Sequence, residues 1–267
     1  MAEPLGRAAT RELLERHGVR LRPSLGQHFL TEPNTVRRIV EIAGVGPGSR
    51  VVEVGAGAGT LTRALAEAGA EVIAYEIDEG LRPILEEVVG DRAVLRFEDA
   101  SGVDFDAALP PGEWALVANL PYNVGTPIVL GLLRAVPRVT RLVVMLQREA
   151  VERLAAPPGS KVYGIPSVVV GLHGTIRVAL RVPPHLFVPP PKVESSVAVI
   201  DRTPADPRSE RAIAIAAAAF GQRRKMVRTS LRRVLVDADG ALAAAGIDPT
   251  SRAEDLSPGD YLRLAGP

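Results

Sequence analysis

Apolar positions along the chain follow two alternating periods. Ala9 to His17 has the three-and-four spacing of a helix and stops before Gly18, a residue suited to a helix C-terminus, so a first helix is predicted there. Pro33 to Ala43 repeats the pattern, with Val36, Ile39, Val40 and Ala43 on one face, and predicts a second. From residue 50 onward, short continuous apolar runs alternate with helical ones. "RVVEV" (50 to 54), "EVIAYE" (71 to 76), "AVLRFE" (93 to 98), "WALVAN" (114 to 119) and "RLVVMLQ" (141 to 147) read as strands. Helices are predicted from about Thr60 to Ala68, near Leu81 to Val89, from Ile128 to Ala135 and from Glu149 to Ala155. Apolar strands separated by helices predict an α/β fold with a mostly parallel sheet covered on both faces.

Beyond residue 156 the pattern loosens. "GIPSVVVGL" (164 to 172), "TIRVAL" (175 to 180) and "SSVAVI" (195 to 200) read as further strands closing the same sheet, with the proline-rich turn "VPPHLFVPPPK" (182 to 192) among them. "DRTPADPRSE" (201 to 210) is polar and proline-containing, as a linker is. The alanine- and arginine-rich remainder predicts a small helical domain. The expected division is therefore a catalytic domain over 1–200 with an N-terminal helical extension, a linker over 201–210 and a helical domain over 211–267.

Composition narrows the chemistry. With 267 residues, 46% of them apolar, the chain can bury a sizeable core, yet its longest apolar run, Ala212 to Phe220, is far short of the ~20 residues of a membrane span. Without a secretory apolar segment at the start, a cytoplasmic protein with no membrane role is expected. There is no cysteine, and the four histidines lack ligand spacing, so neither thiol nor metal catalysis is expected. The net charge of +1 hides an asymmetry: Arg223, Arg224, Lys225, Arg228, Arg232 and Arg233 stand between residues 219 and 235 with no acidic residue among them. Such a patch predicts a polyanionic partner. On one helix, Arg224, Arg228 and Arg232 form a basic stripe, with Val227, Leu231 and Val234 turned towards a core. No interface patch is evident, so a monomer is expected.

Three strand ends carry candidate binding groups. In "VVEVGAGAGTLT", Gly55, Gly57 and Gly59 follow a strand and open a helix, where small residues let backbone N–H groups approach a ligand. The spacing is GxGxG with Glu53 ahead of it, which fits S-adenosylmethionine better than a dinucleotide. Glu76, ending the next strand, is placed to accept from ribose hydroxyls; Asp99, ending the third, to accept from an adenine amino group, with the Ala100 N–H beside it.

The fourth strand ends in "NLPY". The exocyclic amine of adenine is a poor nucleophile because its lone pair is delocalised into the ring. Two acceptors, the Asn119 side-chain oxygen and the Leu120 carbonyl, can hold both N–H groups and turn the lone pair towards a methyl sulfonium. Pro121 fixes its own φ and biases Leu120 to an extended shape, which sets the direction of that carbonyl. Tyr122 offers a ring on which a flipped base can stack. No general base is needed, since the nitrogen becomes strongly acidic as the methyl arrives; positioning and electrostatics carry the rate.

"LGQHFL" (25 to 30), "VEVGAGAGTLT" (52 to 62), "YEID" (75 to 78), "EDA" (98 to 100), "ANLPYNVGTPI" (118 to 128), "MLQREAVERL" (145 to 154), "PGSKVYG" (158 to 164) and "FVPPPKVESSV" (187 to 197) stand in the order found in the ribosomal RNA adenine N6-dimethyltransferases. The chain resembles this family over nearly its whole length, and looks closest to the bacterial small-subunit branch, which dimethylates two adjacent adenosines in the 3′-terminal hairpin loop of 16S rRNA. The resemblance implies a Rossmann-like methyltransferase fold, S-adenosylmethionine as cofactor and the small ribosomal subunit or an assembly intermediate as partner. It implies that His28 and Leu30 line the methionine and ribose side of the cofactor, Gly55 its carboxypropyl part, Glu76 the ribose and Asp99 the adenine, with Asn119 between methyl donor and target amine. Phe187 is implied to face Tyr122 across the base. Many relatives carry Asn where His28 stands. A large-subunit methyltransferase of the macrolide-resistance type, and an assembly factor that binds RNA without methylating it, are the alternatives.

Overall fold

The computed structural model describes residues 4–22 and 25–266, and opens with α1 (Arg7–Arg16), the two-residue strand β1 (Phe29–Leu30) and α2 (Pro33–Ala43). Strands and helices then alternate: β2 (Arg50–Val54), α3 (Thr60–Glu67), β3 (Glu71–Glu76), α4 (Arg82–Val88), β4 (Val94–Phe97), α5 (Phe105–Ala108), β5 (Trp114–Asn119), α6 (Gly125–Ala135), β6 (Val139–Gln147) and α7 (Arg148–Leu154). There follow α8 (Ile165–His173), β7 (Gly174–Val182), β8 (Phe187–Val188), β9 (Ser195–Arg202), α9 (Ser209–Phe220), α10 (Val227–Ser230), α11 (Ala238–Ala244) and α12 (Pro258–Leu264). Among the described residues no helix is long and apolar enough to cross a membrane.

Contacts divide the chain into two compact units, one of residues 1–151 with 177–201 and the other of 152–176 with 202–267. The first is built on a sheet of order β4-β3-β2-β5-β6-β9-β7. Strands β4, β3, β2, β5 and β6 run parallel, and β9 pairs antiparallel with β6 over Arg141↔Asp201 to Gln147↔Ser195. Successive residues Val51, Val52, Glu53 and Val54 are all buried, so β2 is covered on both faces, as its unbroken apolar run requires. The chain leaves β2 for β3 and β4 on one side, then returns to β5 on the other. That reversal opens a crevice at the C-terminal ends of β2 and β5.

The second unit packs α8, α9 and α12 around Tyr163, Phe220 and Tyr261. The two buried tyrosines donate their hydroxyls to the Leu256 and Ala253 carbonyls, at 2.9 and 2.7 Å. "GIPSVVVGL" is the helix α8, not a strand: Pro166 sits in its first turn, the Gly164 N–H donates to Ser167 Oγ at 3.2 Å, and Val168, Val169 and Leu172 enter the core. Burial against α9 and α12 outweighs the strand preference of three successive valines. A Cβ at Gly171 would stand 2.6 Å from Pro258 Cγ, so this helix approaches α12 more closely than a larger residue permits.

The basic segment is likewise not one helix. Residues 221–225 form turns, and the Val227 and Arg228 N–H groups donate to the Ser251 and Pro249 carbonyls, at 2.8 and 3.3 Å, in place of helical partners. The helix α10 lasts four residues, and Leu231–Arg233 is a 3₁₀ turn. Val227 and Leu231 are buried as expected, whereas Val234 is 49% exposed. Residues 152–176, expected with the first domain, cluster with the second because α8 is part of its core.

Candidate active site at the ends of strands β2 to β5

The crevice is lined by Gly26–Leu30, by the loop that follows β2, and by the ends of β3, β4 and β5. The β2 loop is shaped by its glycines. Gly57 has φ +57°, and a Cβ there would stand 2.9 Å from the Phe29 ring, so only glycine fits without displacing it. That backbone turn points the Gly57 N–H at Glu76, whose Oε2 accepts at 2.8 Å. A Cβ on Gly55 (φ +82°) would lie 3.2 Å from Pro121 Cδ, so the loop and "NLPY" touch directly.

Glu76 is 7% exposed, and its Oε1 accepts from the Asp78 N–H at 2.9 Å. Burial raises its pKa, while the Asp78 and Gly57 N–H groups oppose the rise by favouring the charge. Asp78, fully buried, accepts from Gln27 Nε2 at 2.8 Å and pairs with Arg22 at 3.3 Å. Gln27 Oε1 in turn accepts from the Arg22 N–H at 2.6 Å. The N-terminal segment is thus tied to the acid at the end of β3. Sequence reasoning quoted Gln27 and Asp78 within motifs but assigned them nothing, since their contact spans 51 residues and leaves no local spacing to read.

Glu53 stands out electrostatically. It is 1% exposed and lines the crevice, and burial pushes its carboxyl up to about 8, the nearby Glu76 charge adding to the rise. Thr62 pulls in the opposite direction, yet neither Thr62 Oγ1 nor Glu53 Oε2 reaches a partner at hydrogen-bond geometry. Asp99 is exposed at the end of β4, where it accepts from the Ser101 N–H at 2.9 Å; Ala100 beside it is buried.

At the end of β5, Asn119 Nδ2 donates to the His28 carbonyl at 3.0 Å. This holds the amide and leaves its oxygen available as an acceptor at the crevice. Leu120 is anchored by its N–H to the Met145 carbonyl at 3.1 Å, and the Pro121 carbonyl accepts from Gly125 at 2.9 Å to start α6. Tyr122 shares a 2.6 Å hydrogen bond with Ser195 Oγ, and burial raises its pKa against that bond. Its ring stacks on His28, the centroids 5.4 Å apart and the planes inclined by 28°. Leu30 is buried in β1 along the same crevice.

Phe187 is fully buried in the hydrophobic core, where β8 pairs with β1 (Leu30↔Phe187). The ring that faces Tyr122 is His28. In the second unit, Arg223 is locked to Glu254 at 2.6 Å and to the Lys161 carbonyl at 2.8 Å, and Arg232 lies 3.5 Å from Asp239. Among the described residues, Arg224, Lys225, Arg228 and Arg233 are exposed and form no ion pair.

A family model described as "Ribosomal RNA adenine dimethylase" matches residues 18–266. The chain belongs to this family. It is 46% identical to the ribosomal RNA small subunit methyltransferase A of Nocardia farcinica, over 98% of this chain and 94% of that protein. It is 45% identical to the protein of the same name from Phenylobacterium zucineum, over 96% and 90%. Among solved structures it resembles the 23S rRNA methyltransferase ErmE, with a TM-score of 0.71 and 26% identity, covering 89% of this chain and 98% of that one. A dimethyladenosine transferase from Plasmodium falciparum shares the fold, with a TM-score of 0.73 and 22% identity over 89% and 96% of the two chains. The protein is accordingly an rRNA adenine dimethyltransferase with a Rossmann-like fold.

Family and fold imply S-adenosylmethionine as the methyl donor, and the crevice fits it. A glycine loop with left-handed turns, a buried acid at the end of the next strand and an unpartnered buried carboxyl oxygen, Glu53 Oε2, suit a nucleoside carrying a cationic amino-acid tail.

Proposed function

We propose that this enzyme dimethylates N6 of two adjacent adenosines in the 3′-terminal hairpin loop of 16S rRNA, within the small ribosomal subunit or an assembly intermediate. The name of the relatives at 43 to 46% identity supports the small subunit as substrate. The observation that carries the chemistry is the tethering of Asn119: one N–H of its amide donates to the His28 carbonyl, which leaves its oxygen to accept at the crevice.

When bound, S-adenosylmethionine supplies an electrophilic methyl on a sulfonium. Glu76 holds the ribose through lone pairs left after its two backbone bonds, Asp99 and Ala100 meet the adenine, and Gly55, Gly57, His28 and Leu30 flank the amino-acid and ribose side. Asn119 Oδ1 and the Leu120 carbonyl accept the two N–H bonds of the target amine, which withdraws its lone pair from the ring and directs it at the methyl. Pro121 keeps that carbonyl in place, Tyr122 stacks the base, and one amine proton leaves to solvent after each transfer. Two transfers require the monomethylated amine to be held by its one remaining N–H.

Arg224, Lys225 and Arg228 are proposed to contact RNA phosphates, which position without specifying. Arg223 and Arg232, each paired with a carboxylate, are weaker candidates. The deciding experiment incubates the protein and cofactor with unmethylated small subunits and maps modified nucleosides by mass spectrometry. Dimethyladenosine at the paired loop positions is expected. Its absence, or modification of large-subunit RNA instead, refutes the proposal.

A further inference from the structure

We infer that Gln27 is a positioning residue for the cofactor: its carboxamide latches residues 26–30 to Asp78 and, through Asp78, sets the Glu76 carboxylate. The inference rests on the proposed role of Glu76 as the ribose acceptor and adds the residue that aims it. Gln27 is 9% exposed, and both ends of its amide are used. Nε2 donates to Asp78 Oδ2 at 2.8 Å, and Oε1 accepts from the Arg22 N–H at 2.6 Å. A carboxylate accepts and a backbone N–H donates, so the two partners together fix which way the amide faces. Asp78 passes the constraint on. Its Oδ1 accepts from the Gly80 N–H at 3.0 Å, and its own N–H donates to Glu76 Oε1 at 2.9 Å. Glu76 Oε2 is held from the other side by the Gly57 N–H at 2.8 Å.

The same short segment makes two further contacts across the crevice. Phe29 lies against the β2 loop, where a Cβ on Gly57 would stand 2.9 Å from its ring, and the His28 carbonyl accepts from Asn119 Nδ2 at 3.0 Å. Residues 26–30 thereby touch the ends of β2, β3 and β5. The contact at β3 is made to a buried charge, where a hydrogen bond is stronger than between neutral groups and its loss leaves an oxygen desolvated. Arg22 does not replace it: its guanidinium lies 3.3 Å from Asp78 Oδ1, is 60% exposed and is screened by solvent. Without the amide, Asp78 draws water into the space that the amide filled, and Glu76 loses a fixed neighbour on its Oε1 side. The cofactor then meets a protein whose acid and covering segment must first be ordered, and apparent affinity is reduced by the fraction that stays docked.

The test exchanges the partners. Gln27→Ala removes the latch, Gln27→Glu sets two carboxylates against each other, and Asp78→Asn sets two amide donors against each other. The double variant Gln27→Glu/Asp78→Asn remakes the bond with donor and acceptor reversed. Its carboxylate at position 27 accepts from the Arg22 N–H and from the amide at position 78, whose oxygen still receives the Gly80 N–H, and the formal charge is that of wild type. S-adenosylmethionine affinity is read by calorimetry, KM for the cofactor and kcat by methylation of unmethylated subunits, and stability by thermal unfolding. Each single substitution is expected to weaken cofactor binding by about tenfold or more, raising KM more than it lowers kcat, and the double exchange to come within about threefold of wild type. In a Glu76→Gln background, Gln27→Ala costs less than about twofold further, because the residue it acts through is already altered. Lowered unfolding temperatures with unchanged cofactor affinity, a double exchange no better than its parents, or losses additive with Glu76→Gln overturn the inference. Calorimetry needs no RNA, so Gln27-dependent cofactor affinity in a protein that never methylates subunits refutes the proposed reaction and keeps the latch.

Discussion

The crevice of the first unit and the basic segment of the second solve opposite problems. In the crevice, charged and amide groups are buried or half-buried and held by fixed partners: Glu76 by two backbone N–H groups, Asp78 by the Gln27 side chain, Asn119 by a backbone carbonyl. In the basic segment, four cations are exposed and, among the described residues, unpaired on turns and short helices, while two others are diverted into ion pairs. Orienting a weak nucleophile needs dipoles fixed to a fraction of an ångström, and burial supplies that rigidity. Holding a long polyanion needs only charge at the surface, where position can be loose. Removing a group from the crevice should therefore cost rate, and removing one from the basic segment should cost affinity.

The contrast is tested most severely by Asn119→Ala. Methylation is expected to fall by about a hundredfold to a thousandfold, with subunit binding preserved in a sedimentation assay. Equal losses of rate and binding would collapse the distinction.

Glu53 provides the next largest effect. Its folded pKa, about 8, lies above its ordinary value of 4.5, so across that window the folded protein keeps a proton that the unfolded chain has released. Its stabilising contribution is full below about pH 4.5, falls as pH rises and is gone above about pH 8. Glu53→Gln should remove that slope: its stability relative to wild type grows with pH through this window, by a few kcal/mol in all, and is constant beyond it. Urea unfolding of both proteins from pH 5 to 9 measures the difference; parallel curves would show that the carboxyl is hydrated after all.

In the second unit, replacing Arg224 and Arg228 together by Ala should weaken subunit binding and lower the slope of log affinity against log salt by about 2. The rate at saturating subunit should stay near wild type. An unchanged salt slope would remove these cations from the interface.

The smallest effect sharpens the comparison from within the segment. Arg223 spends its charge on Glu254 and its hydrogen bonds on the Lys161 carbonyl. Arg223→Ala should cost under about 1 kcal/mol of stability, since the pair is partly exposed, and shift the salt slope less than the Arg224 change does. Calorimetric unfolding and the same binding titration read both.

How much of this was legible in the sequence differs between the two regions for the same reason. β2, β3 and β5 run over the expected residues, because unbroken apolar runs between glycines and prolines permit little else. The cradle residues were legible because parallel strands bring their C-terminal ends together whatever lies between them. The helix α8 was not, because burial against α9 and α12 overrode its three valines. The basic stripe also dissolved, because residues 249 and 251 captured the N–H groups that a helix would have used.

The sequence by itself determined the α/β alternation, the glycine loop and the acids and amide at successive strand ends, all matters of short-range pattern repeated on one sheet edge. Only the tertiary structure decided that His28 stacks on Tyr122, that Gln27 bridges to Asp78, and that Arg223 is answered by Glu254. Each of these depends on which distant segment fills the space beside a side chain, and packing settles that only once the whole chain has folded.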